Sequence, residues 1–142
     1  MDPWSRAWPL TAIAVLNFLF SFGTLIGGID TVRYLHQPGS VVDSYGIRFV
    51  YPSYAWQVFF GLSQILRALL FVVVGIGLIR RSQRLGQQLG TFHAGASLVL
   101  FALGVYVNQT RGLSPVHGMA CLYPLVMLYV LNVSHRREFV AP

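Results

Sequence analysis

One arginine stands alone inside a long apolar stretch. Arg67 lies eleven residues after Trp56 and twelve before Ile79. If that stretch crosses a bilayer as a helix, the guanidinium sits near the hydrocarbon centre, at a cost of about 2.5–3.5 kcal/mol on insertion scales. Something must offset it. No Asp or Glu falls in any of the apolar stretches, so partners within the chain reduce to Asn17, Ser63, Gln64 or carbonyls freed near Pro124. Two readings follow. Arg67 snorkels or makes neutral hydrogen bonds inside the protein, or another molecule supplies a carboxylate, a cofactor or a lipid phosphate.

His93 is the second residue able to do chemistry, because Ala94-Gly95-Ala96-Ser97 follow it. An axial nitrogen beside small side chains is what a planar macrocycle needs, so haem or chlorophyll ligation is one reading. Haem usually takes a second ligand, and His135 is the other histidine expected on that side. The commoner explanation is a histidine near a helix end, meeting headgroups. Small residues at four-residue spacing, Gly23 with Gly27 and Gly86 with Gly90 and Ala94, are read as helix-packing sites. They do not form phosphate loops, since no Walker or dinucleotide pattern occurs.

What is missing narrows the chemistry further. Cys121 is the single cysteine, which excludes an intrachain disulfide, a CxxC pair, a thiolate metal cage and the disulfide-forming membrane enzymes of the DsbB type. No Ser/His/Asp set, paired carboxylates or HExxH helix is present, so the chain is read as non-catalytic. Small multidrug exporters depend on a carboxylate in the first span, where this chain has Asn17. The patterns of membrane glutathione transferases and small fluoride channels are not found either.

The elements that must position these residues are set by composition. Of 142 residues 55% are hydrophobic and 10% charged, against roughly 25% charged in an average soluble domain. Such a surface needs lipid to cover it. Four apolar stretches follow, at about 10–28, 56–79, 88–107 and 115–133. Each is near the roughly 20 residues a helix needs to span the hydrocarbon. Unpaired strands are excluded there by their unmet backbone groups. The expected fold is therefore all-α: a polytopic membrane protein with four transmembrane helices in one bundle. Arg6 before the first stretch resembles a signal peptide's start, but the run is longer than a signal core and is read as a retained span. Ser114-Pro115 forms an N-cap and first-turn pair for the fourth, and Pro124 predicts a kink within it.

All ten basic residues are arginine and the formal charge is +6. They are spread over loops and ends rather than gathered on one face, which argues against nucleic acid and for membrane topology. Arg6, Arg80, Arg81, Arg84, Arg136 and Arg137 fall on one side, against Arg33, Arg48 and Arg111 on the other. The positive-inside rule places both termini in the cytoplasm, with segment 29–55 outside. That segment carries Pro38-Gly39 and Tyr45-Gly46 turn signals, a short strand expected at 47–51, and aromatic residues suited to the headgroup level.

The run from Trp8 through Pro9, Leu10 and Asn17 to Phe20, and the span ending Gly75-Ile76-Gly77-Leu78-Ile79-Arg80-Arg81, resemble small uncharacterised bacterial four-span integral membrane proteins. The likeness lies mostly in hydrophobic pattern and glycine. It implies the topology and no activity; the expected location is the cell (inner) membrane. The expected function is a non-catalytic membrane subunit that packs against other membrane proteins and stabilises or regulates a larger complex. Competing expectations are a haem- or chlorophyll-binding protein using His93, and a small-solute channel or transporter lined by Arg67 and Asn17.

Overall fold

The computed structural model describes residues 3–44, 47–108 and 115–139. Helix α1 runs Pro3–Arg33, followed by an antiparallel hairpin of β1 (Val41–Ser44) and β2 (Ile47–Val50). Then come α2 (Tyr54–Ile79), α3 (Leu89–Asn108) and α4 (Pro115–Tyr129). A π-helical segment at Gln83–Gln88 leads into α3, and another at Val130–Ser134 extends α4. Trp8–Arg33, Tyr54–Ile79 and Gln83–Val107 are long and apolar enough to cross a membrane; Cys121–Ser134 is a shorter apolar helix.

Helix α1 continues past the expected end of the first span to Arg33, so the following connection is shorter than 29–55. The reason lies in Gln57. Its buried Nε2 donates to the carbonyls of Thr31 at 3.2 Å and Tyr34 at 3.0 Å, and its Oε1 accepts from the His36 amide at 3.2 Å. A helix leaves its last carbonyls without partners, and here a side chain from α2 supplies donors for two carbonyls at that end. Pro38 and Gly39 then make a turn closed by Ser40 N–H donating to the Gln37 carbonyl at 3.0 Å, with Gly39 at φ 82°. This is a type II arrangement, which requires positive φ at its third residue. The strand at Ile47–Val50 pairs residue by residue with β1, Val41 opposite Val50 and Ser44 opposite Ile47. Tyr51, just beyond it, is buried with its ring 6.1 Å from Phe60, and Trp56 stacks on Phe60 at 5.9 Å. Burial pushes the Tyr51 phenol above its usual pKa. These rings fold inward, while Tyr34 and Tyr54 are exposed.

Neighbouring helices pack antiparallel, α1 along α2 and α3 along α4. A Cβ at Gly28 would stand 2.9 Å from the Gly61 carbonyl, and one at Gly61 would stand 2.6 Å from Val32 Cγ2. Backbone therefore meets backbone at the α1–α2 crossing, as small residues allow. After α2 the chain turns by a Schellman motif: Ser82 N–H donates to the Gly77 carbonyl at 2.9 Å and Arg81 N–H to that of Leu78 at 3.1 Å. Arg81 occupies the left-handed position of this motif at φ 51°, where glycine is the usual residue. Immediately above, Gly77 abuts the backbone of Leu85 and Gly86, leaving no room for a side chain.

This end of the molecule holds the apolar core. Leu10, Ile13 and Ala14 of α1, Val74 and Leu78 of α2, Ala94 of α3, Met127 of α4 and Leu131 of its π-helical extension are each at most 5% exposed. The outer faces are apolar too, with Leu19, Phe22, Leu66, Leu69, Phe92 and Val99 exposed. The Ser114 cap expected for α4 and the Tyr45-Gly46 tip lie outside the described residues.

Candidate functional site

Next to that core the four helices separate around a cavity of about 330 Å³. Phe20 and Thr24 of α1, Arg67 and Phe71 of α2, His93, Ala94 and Ser97 of α3, and Tyr123, Pro124 and Met127 of α4 line it. The two residues read separately from the sequence, Arg67 and His93, thus share one site.

Their placement follows from local structure. The π-helical segment adds helical residues before Leu89, so His93 stands well inside the helical run rather than near its end. It is 1% exposed, and its ring meets Phe71 edge-on at 4.4 Å. Ser97 Oγ donates to the His93 carbonyl at 2.8 Å, a bond within the helix that leaves the imidazole untouched. Both ring nitrogens are buried and without a hydrogen-bond partner. Arg67 is half-buried, its guanidinium carbon 5.9 Å from the centre of the Phe71 ring, and its buried Nε also has no partner. Phe71 therefore contacts both groups, with the cation over its ring and the imidazole packed against it in a T-shaped pair.

Neither Asn17 nor Gln64, read as partners for Arg67, lines the cavity beside it. The Tyr123 hydroxyl donates to Asn17 Oδ1 at 2.5 Å and approaches the Ile13 carbonyl at 3.4 Å. Asn17 Nδ2 is left buried without an acceptor. Gln64 Oε1 lies 3.1 Å from where a Gly27 Cβ would be, at the α1–α2 contact. Ser63 donates back to the Phe59 carbonyl at 2.7 Å, within its own helix. His135 does not line the cavity; its Nε2 lies 3.8 Å from Glu138 Oε1. Among the glycines, Gly86 faces Gly77, and Gly90 faces Leu131, Met127 and Val74, whereas Gly23 has nothing within 4 Å of its would-be Cβ.

Sequence reasoning missed Tyr123 and Phe71. Tyr123 carried a usable signal, a hydroxyl directly before Pro124 inside α4. Its ring packs edge-on against Phe20 at 4.8 Å, closing one wall of the cavity. Phe71, four residues after Arg67, is one helical turn along the same face. Among the described residues no cluster of His, Cys, Asp or Glu is arranged to hold a metal ion.

The site is thus a polar corner in an apolar, aromatic-walled chamber. It presents a guanidinium and an imidazole with nothing in the described chain to accept from them. Both could donate to one acceptor group. Comparisons with protein-family models, with curated proteins and with solved structures find no match.

Proposed function

We propose that the chain is a non-catalytic integral membrane subunit that spans the bilayer four times and works by binding a component from outside itself. The observation that carries this reading is Arg67: a cation in the middle of an apolar helix, beside a cavity, with no hydrogen-bond acceptor among the described residues. A charge placed there is costly unless compensated, and of the side chains expected to partner it Asn17 Oδ1 accepts from Tyr123 and Ser63 donates within its own helix. Support for four spans comes from the three long apolar helices and from α4, whose 15 residues continue into 5 more of π-helix. Together these reach about 30 Å at the α-helical rise, enough for the hydrocarbon layer. Arginine placement orients both termini to the cytoplasm, in a bacterial inner membrane on this reading.

Purification from native membrane tests it. Wild-type protein is expected to bring down a stoichiometric component that Arg67→Leu loses, while the variant still inserts. Equal recovery with both proteins would count against the reading. Cysteines placed at Gly39 in a Cys121→Ser background are expected to react with an impermeant reagent from outside, and those beside Arg81 are not.

A second reading keeps His93 as axial ligand to haem or chlorophyll, favoured by ring nitrogens that carry no hydrogen bond. It requires a visible absorption band in the purified protein that His93→Leu removes or shifts. A colourless preparation without bound macrocycle ends it.

A further inference from the structure

Resting on the reading that Arg67 takes its acceptor from outside the chain, we propose that the Arg67–His93 cavity binds a small amphipathic carboxylate of the fatty-acid type. Three features of the chamber select this class. Its polar corner is a guanidinium, whose planar fork matches a carboxylate and compensates it in charge. His93, 1% exposed and unpartnered at both ring nitrogens, adds one N–H donor in either neutral tautomer. A neutral ligand such as an alcohol or a quinone would satisfy the hydrogen bonds but leave the arginine's charge unmatched in an apolar surround.

The remaining wall selects the body. Phe20, Phe71, Tyr123 and Met127 present apolar surface to the cavity, so a bare inorganic anion would leave most of it unfilled. The volume of about 330 Å³ lies at the lower end of pockets that hold small organic ligands, roughly 300–1,000 Å³. Access is lateral. Phe20 is both a wall of the cavity and 41% exposed on the outer face of α1, so an amphiphile dissolved in the bilayer reaches the chamber past this ring. Its headgroup then turns inward to Arg67.

The probe is dodecanoate, added to full-length protein in phosphatidylcholine nanodiscs, with dodecanol and acetate as controls. Dodecanoate is expected to raise the unfolding temperature of the wild type, and dodecanol and acetate are not. Arg67→Gln is expected to weaken the apparent affinity by about tenfold or more, the loss of a charge-assisted contact. His93→Leu weakens it less. A dodecanoate bearing a diazirine on its chain is expected to crosslink peptides containing Phe20 or Met127, in competition with unlabelled dodecanoate. This readout holds even where a variant fails to fold. Equal stabilisation by dodecanol, stabilisation by acetate alone, or labelling spread over the outer helix faces without competition would overturn the proposal. Should dodecanoate fail while Arg67→Leu still loses a copurifying protein, the ligand class is wrong and the external-acceptor reading stands. Failure of both experiments removes both.

Discussion

The two levels of the helical interior differ more than their sequences suggest. At one level Leu10, Val74, Leu78, Met127 and Leu131 close on one another, Gly77 and Gly86 bring two stretches of backbone together, and Gly90 admits the side chains of Leu131, Met127 and Val74. At the neighbouring level the same helices carry Phe20, Phe71, Tyr123 and Arg67, and a cavity remains. Bulky aromatic rings hold the helices apart where glycines would let them meet. Packing of this kind is tight because every contact atom has a partner, whereas the cavity level leaves polar atoms of Arg67, His93 and Asn17 with none. On the proposed reading, the first level supplies stability and the second supplies binding.

The largest test of that division falls on the packed level. Leu131 is fully buried among Leu10, Leu78 and Met127, so Leu131→Ala is expected to cost about 2–5 kcal/mol. Unfolding of the purified protein in detergent measures it. A cost near zero would mean that this level is not the stabilising one.

A smaller loss is expected at the opposite end from Gln57→Ala. It removes the donors to the Thr31 and Tyr34 carbonyls and the acceptor for the His36 amide, at about 1–3 kcal/mol for buried groups left unmet. Hydrogen exchange at residues 31–36 should rise with it. Unchanged exchange would show that α1 ends there without help from α2.

Much of the helical framework was legible because long apolar runs permit few alternatives. The runs around 56–79 and 88–107 match α2 and α3 to within a few residues. Three features were not legible, each for a physical reason. The extension of α1 to Arg33 depends on Gln57, more than twenty residues away, and hydrophobic pattern carries no information about a distant cap. The π-helical turns arise from i to i+5 bonds such as Gln87 N–H to the Ser82 carbonyl at 3.3 Å, which leave no mark in composition. The meeting of Arg67 with His93 depends on helix rotation and on the six residues of π-helix before Leu89. Arg67 stood out as a charge at mid-span, but its surroundings are fixed by Phe71 and Tyr123, which as single aromatics resemble ordinary core residues.

The glycine pattern illustrates the same limit and gives the smallest predicted effect. Gly23 and Gly27 have the spacing of a packing motif, yet it is Gly28 that meets Gly61, and Gly23 faces open space. Gly23→Ala should leave stability within about 0.5 kcal/mol or improve it slightly, because helix propensity favours alanine. Gly28→Ala should lower it measurably, since the backbone of Gly61 and Ile65 lies 2.9 Å from the added carbon. Reversal of that order in parallel melts would displace the α1–α2 crossing from Gly28.

The most direct test of the central claim is the stability of isolated Arg67→Leu beside wild type, in the same detergent and without added ligand. If the guanidinium lacks an internal acceptor, removing an uncompensated charge costs nothing, and the variant should unfold at the same temperature or higher. If Arg67 instead holds the helices together by bonds within the chain, the variant should lose about 1–3 kcal/mol, as expected when buried polar partners are stranded. That loss would contradict the account.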